Sequence, residues 1–367
     1  MNRREVLAGL GVLSATGLAG CSNSVPLSNG STDDTTRELT DGFGRTVAVP
    51  ETVERVVGVG PGSLRQLAYL ESTDLVVGTE DENEPAQRAP YNLANPDLDE
   101  TPIIGDGGPN AGGNTERILA VDPDLICYYG EPSRAATLQS QTETPVVGLE
   151  IVDFADHTAR ETVFETWRLL GDVLSKDSRA ETVIEFVKEV IADLKERTAD
   201  PAASEGDRAY VGAINHEGAH GLRTTRPEFA PFQWTDVSNV ASDVDTNADS
   251  VQVSTEQLLA WNPERMFLSG ANLSRVREDV NSNPEYESLA AVEAGETYAI
   301  LPHASYHTNY GSVLANAYFV GTRVYPDRFA DVSVQSKTET IFETMLGEPL
   351  YDALVEEYSA FEQLELP

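Results

Sequence analysis

Two hydrophobic periods alternate along the first part of the chain. Short runs rich in Val and Ile, at residues 53–59, 75–77, 102–104 and 145–149, read as strands. After the turn Gly60-Pro61-Gly62, the residues Leu64, Leu67, Ala68 and Leu70 share one face of a helix. Residues 39–49 read as two extended pieces about the turn at 41–45, and the polar, Pro-rich residues 80–99 as a long loop. Strands alternating with helices predict a parallel α/β sheet. From about residue 158 to 198 the pattern is helical, with a break expected near 171–177. Its second part carries Val183, Phe186, Val187, Val190, Ile191 and Leu194 at helical spacing, without Pro or Gly, and predicts a stiff strut. The earlier style then returns, with strands at 208–214 and 296–301 and helices at 312–325, 336–346 and 349–364. The expected fold is α/β: two Rossmann-like lobes with mostly parallel sheets, at residues 38–155 and 201–367, joined by one long rigid helix within 156–200.

One stretch occurs twice, at residues 114–130 and 254–270. Aligned without gaps, the copies match at Thr115/Thr255, Glu116/Glu256, Leu119/Leu259, Ala120/Ala260, Pro123/Pro263 and Gly130/Gly270. Each reads as a capped helix start, a short helix, a Pro break, a buried strand and a Gly turn. A spacing of about 140 residues is too long for a solenoid repeat of roughly 20–50 residues and fits one copy per lobe.

Charge narrows the partners. The 367 residues carry a formal net charge of -36, and the only lysines are Lys176, Lys188, Lys195 and Lys337. Such a surface stays solvated in strong salt, as in a salt-loving host, and argues against nucleic acid or an anionic membrane face as partner. Arg3-Arg4 precedes a short apolar run over 6–19, too short to span a membrane comfortably. The pattern is that of a twin-arginine export signal over 1–21. The run ends in Leu18-Ala19-Gly20-Cys21, similar to a lipobox; a lipidated Cys21, followed by a flexible tether over 22–37, would anchor the protein to the outer face of the cell membrane. Cys127 is then the only thiol left and reads as a small core residue.

Ligands of two-lobed α/β proteins bind in the crevice at the carboxyl ends of strands. The loops there are 60–63, 106–114, 128–134, 215–226 and 303–310, which supply Asn110, Tyr129, His216, His220, Arg223, Tyr306, His307 and Tyr310 as ligand-binding candidates. Four of the five histidines, His216, His220, His303 and His307, fall in the last two loops, whereas His157 opens the helical segment. Tyr and His pair a flat face with a polar tip and suit a large planar or chelated ligand. These histidines could ligate a metal directly, contact a bound chelate or be structural; a direct site would want carboxylate or Cys near several His, and with Glu217 and Glu228 available the pattern is still weak, so no metal site within the protein is expected. Arg223 and Arg226 could meet anionic ligand groups or pair with surface acids. The Gly-rich stretch 105–113 lacks the Gly-Lys-Ser/Thr end of a P-loop, and no Ser has a nucleophile-elbow context. An enzyme is not expected. The competing readings are a metal-dependent hydrolase or chelatase built on the four histidines, or a surface sensor or adhesion lipoprotein without a transporter.

The segments 39–47 with 53–57, 116–126 and 289–302, in this order and spacing, resemble the substrate-binding proteins of ABC importers for iron-siderophores, haem and cobalamin. The resemblance covers nearly all of the chain after the tether. It implies a ligand held between the lobes, small hinge motion, and an ABC permease dimer with its ATPase subunits as partner. It also implies that Glu116 and Glu256 dock into Arg-rich pockets of that permease. An iron chelate is the leading ligand, a corrinoid next, with haem, molybdate or tungstate behind. Trp234 is the one Trp expected near a crevice loop, and no cofactor other than the lipid is expected.

Overall fold

The first apolar runs form strands of a parallel sheet. The protein is described by a computed structural model covering residues 35–81, 89–107, 112–199, 208–215, 221–244 and 248–366. An antiparallel hairpin, β1 (Thr36–Thr40) with β2 (Thr46–Pro50), opens it. Asp41 fastens the turn: its carboxylate accepts from the backbone N–H groups of Phe43, Arg45 and Gly148. The strands β3 (Val56–Val59), β4 (Val76–Asp81), β5 (Ile103–Asp106), β6 (Leu125–Tyr128) and β7 (Val146–Gly148) follow. They form one parallel sheet of order β5-β4-β3-β6-β7. β3, β6 and β7 are buried along their whole length, which is why they read as continuous apolar runs rather than alternating ones.

The second lobe contains β8 (Arg208–Gly212), β9 (Thr224–Thr225), β10 (Ser238–Asn239), β11 (Val251–Gln252), β12 (Arg265–Ser269) and β13 (Thr297–Ile300). Its parallel sheet has the order β10-β8-β12-β13, and β9 and β11 form a small antiparallel pair.

The helical segment between the lobes is two helices, His157–Val173 and Asp177–Thr198. Ser175, at φ 57°, turns the chain between them. They run antiparallel: Gly171 lies against Ala180, Arg168 pairs with Glu181, and the Lys188 ammonium lies over the Phe164 ring. The second helix has 22 residues, about 33 Å at 1.5 Å per residue. Near its start, the Arg179 guanidinium donates to the carbonyls of Tyr69 in the first lobe and of Thr344 and Met345 in the second. Near its end, Arg197 donates to Asp331 and the Arg328 carbonyl. One hydrophobic core runs through both lobes and this helix pair, including Val56, Leu125, Trp167, Val187, Val211, Phe267 and Phe319. The joint is therefore packed, not a free linker.

Three local expectations need correction. The last helix is Tyr351–Tyr358, because Ser359 and Phe361 take left-handed backbone and end it. The chain then runs extended along β13, with the N–H of Phe361 bonded to the Ala299 carbonyl and that of Leu364 to the Thr297 carbonyl, which closes the sheet edge. Within the expected loop, Pro90 opens a short helix, Pro90–Ala94, since its missing N–H costs nothing at a first helical position. Trp234 lies in the core against Phe154 and is 1% exposed.

The repeated stretches fold alike. Their helices are Thr115–Ala120 and Thr255–Trp261, and their strands β6 and β12 each pair with the first sheet strand of their lobe, β3 and β8. Asn114 caps the first helix by accepting from the Arg117 N–H at 3.1 Å, and Ser254 caps the second from the Gln257 N–H at 3.1 Å. Asp122 and Asn262, each just before the Pro, are both left-handed, at φ 46° and 44°.

Candidate functional site

The loop leaving the carboxyl end of β13 crosses from the second lobe to the first, where it meets residues that follow or end the first sheet's strands. Residues 303–309 brace themselves: the Ser305 N–H donates to the His307 carbonyl, the Asn309 N–H to the His303 carbonyl, and the Thr308 N–H to His307 Nδ1. Tyr306 and His307 both have positive φ, 49° and 93°, an unfavourable conformation held by what surrounds them. Gly62 makes room, since a Cβ there would lie 2.9 Å from the His307 Cβ. The Tyr129 ring meets the His307 ring edge-on at 5.1 Å.

Three charged residues of the first lobe receive this loop. Arg65, on helix Ser63–Tyr69, is 1% exposed and lies over the Tyr91 ring. Its guanidinium donates to the carbonyls of Ser305, Tyr306 and Thr308. Glu80, near the end of β4, accepts from the Gly60 N–H at 2.8 Å, the Gly113 N–H at 3.3 Å and the Tyr306 hydroxyl at 3.0 Å. Asp153, beyond β7, accepts from the Arg226 guanidinium, meets His303 Nε2 at 2.9 Å and accepts from the Thr308 hydroxyl at 3.4 Å.

Electrostatics follow from this packing. Burial opposes charge on Asp153, but the His303 ring and the Arg226 guanidinium outweigh it and hold the carboxyl well below the usual carboxylate range. Burial, and then the Arg226 charge, push His303 below the ordinary imidazole value despite Asp153. Burial, and then the Arg65 charge, lower His307 to about 4. At neutral pH the two imidazoles are therefore neutral, between an ionised carboxylate and two guanidinium groups.

The structure brings Tyr129, Tyr306 and His307 together at this junction. Tyr310 lies just below it, with no exposed surface, its hydroxyl on the Val152 carbonyl and its ring 4.5 Å from that of Phe154. Arg223 lies elsewhere, behind the second repeat, where it donates to the Val253 carbonyl at 3.5 Å. Asn110, His216, His220 and Cys21 lie outside the described residues. Glu116 and Glu256 are exposed in the first turns of their helices. The backbone N–H of Glu256 and the Ser254 hydroxyl hold its carboxyl below the usual value. Sequence reasoning missed Arg65, Glu80 and Asp153. The available signal was a lone charge in an apolar helix face or just after a β-rich run. Among the described residues no three His, Cys, Asp or Glu side chains cluster as a metal site, and no helix is long and apolar enough to cross a membrane.

Comparison with known proteins fits this architecture. The chain is 22% identical to a molybdate-binding protein of Haemophilus influenzae over 84% of this chain and 90% of that one. It is 25% identical to an Fe(3+)-citrate-binding protein of Bacillus subtilis over 77% of this chain and 84% of that one. Among solved structures, the Haemophilus influenzae protein bound to molybdate superposes with a TM-score of 0.69 at 18% identity, over 85% of this chain and 98% of that one. A petrobactin-binding protein of Bacillus subtilis superposes at 0.59 and 19% identity, over 80% of this chain and 99% of that one. A sequence model described as periplasmic binding protein matches residues 56–304. With that match over most of its length, and with two parallel sheets and a packed helical joint, the chain belongs to the periplasmic binding protein family, whose members serve ABC importers.

Proposed function

We propose that this protein is a lipid-anchored receptor on the outer face of the cell membrane that holds an iron(III) chelate between its lobes and delivers it to an ABC permease. The observation that carries the ligand reading is the Tyr129, Tyr306 and His307 group at the lobe junction, flanked by the buried Arg65 and Arg226. Aromatic and imidazole faces suit a bulky chelate, and guanidinium groups suit its carboxylates. The Fe(3+)-citrate and petrobactin relatives support that class. A corrinoid is favoured less, because Trp167 and Trp234 are both buried and offer it no wall. The molybdate-binding relative supports an oxyanion as the second reading, and the same guanidinium groups would serve it.

In this reading Glu116 and Glu256 dock on the two permease subunits. Both are held rigidly by a capped first turn, at equivalent places in the two lobes. Cys21 carries the lipid and residues 22–37 form the tether.

Thermal unfolding in high salt, with ferric citrate, a ferric siderophore, molybdate or cobalamin added singly, tests the ligand. A ligand present at about 100 times its Kd adds roughly 2.7 kcal/mol to the native state and raises Tm. A rise with ferric chelates alone supports the proposal. A rise with molybdate alone replaces the ligand, and no rise with any of the four overturns the receptor reading.

A further inference from the structure

The geometry points to Glu80 as a positioning residue that sets two glycine turns of the crevice and, through Tyr306, holds the opposite lobe closed over them. The inference rests on the reading of the crevice as the ligand site. Glu80 is 7% exposed, and its two oxygens serve three different segments. Oε2 takes the Gly60 N–H, in the turn that leaves β3, and Oε1 takes the Gly113 N–H, at the end of the stretch that leaves β5. These are two of the loops on the crevice edge of the first sheet. Oε2 also takes the Tyr306 hydroxyl, which belongs to the second lobe.

A carboxylate suits this task. It has only acceptor sites, enough for three donors at once, and bonds to an ionised acceptor are the stronger kind. Of these donors, the Tyr306 hydroxyl is carried by a side chain of the other lobe and the other two are backbone N–H groups of the first. It can leave without disturbing the glycine turns. Tyr306 also has left-handed backbone and follows Ser305, whose carbonyl accepts from Arg65. The loop is thus drawn onto the first lobe by Arg65, Asp153 and Glu80, and Glu80 is the one of the three that also bonds the Gly60 and Gly113 N–H groups. A ligand entering the crevice must displace or recruit the Tyr306 hydroxyl, while Glu80 keeps the first lobe's rim in shape.

Hydrogen exchange of the full chain without ligand tests this. Tyr306→Phe removes only the hydroxyl; exchange in residues 303–309 should rise roughly tenfold, the worth of one charge-assisted bond. The peptides containing Gly60 and Gly113 should stay as in the wild type. Glu80→Gln puts an amide nitrogen, which cannot accept, in place of one oxygen; exchange should rise at the glycine turns and at 303–309, while β3 and β4 stay protected. The double variant should exchange at 303–309 no faster than Tyr306→Phe alone. Wild-type exchange at 303–309 in Tyr306→Phe, additive effects in the double variant, or loosening of the whole sheet in Glu80→Gln would each overturn the proposal. If Glu80→Gln fails to fold, Tyr306→Phe alone decides the link between the lobes. Because no ligand is used, failure of ferric citrate to bind counts against the receptor reading and not against this result.

Discussion

His303 Nε2 in the second lobe stands 2.9 Å from Asp153 Oδ1 in the first, and the other Asp153 oxygen takes the Arg226 guanidinium. One carboxylate thus answers His303 and Arg226, besides the Thr308 hydroxyl, from the opposite lobe, and the carboxylate, the imidazole and the guanidinium are nearly withdrawn from water. Removing it leaves the Arg226 charge buried without its close partner. Asp153→Ala should cost about 3–5 kcal/mol of stability, the usual penalty for breaking a buried pair from one side. Denaturant unfolding measures this; a loss under about 1 kcal/mol, the range of a surface pair, would show that the junction opens to water.

The same junction makes stability depend on pH. His307 titrates at about 4 in the folded protein, against about 6.5 in an unfolded chain. Between these values the unfolded state binds the extra proton, so stability rises with pH. The contribution is fully present above about 6.5 and is lost as pH falls toward and below 4, at most about 3–4 kcal/mol in all. His303 shifts in the same direction. Tm measured from pH 7 to 4 should therefore fall more steeply for the wild type than for His307→Asn. Parallel curves would mean that the His307 ring is solvated.

Docking and ligand capture should separate. Charge reversal at both exposed positions, Glu116→Arg with Glu256→Arg, should abolish uptake in cells and leave ligand affinity within about twofold, because both side chains are exposed and neither is among the groups that meet at Tyr129, Tyr306 and His307. Lost affinity in the purified double variant would refute that division.

Gly60 cannot be replaced cheaply. Its φ is +92°, and a Cβ there would lie 2.0 Å from the Tyr129 carbonyl oxygen. Gly60→Ala should cost about 2–5 kcal/mol, from left-handed strain plus overpacking. Chemical denaturation checks this, and a near-neutral result would show that the turn has a second conformation.

Hydrophobic period alone determined much of this protein. Runs of Val and Ile predicted the buried strands, because a strand covered on both faces needs apolar residues at every position. The cassette match between Glu116 and Glu256 was also legible: capping and left-handed turns depend on residues close in sequence, so Asn114 and Ser254 announce their helices locally. What the tertiary structure decided were the contacts made over long separations. The antiparallel return of helix Asp177–Thr198 on its predecessor depends on Ser175 and on packing such as Gly171 against Ala180, which periodicity does not contain. Arg65, Glu80 and Asp153 look like ordinary surface charges in the sequence. Each becomes a junction residue only because the loop at 303–309, more than 150 residues beyond Asp153 for most of its length, folds back onto them. A buried charge is tolerable only where its partners arrive, and for each of these residues some of those partners come from the other lobe.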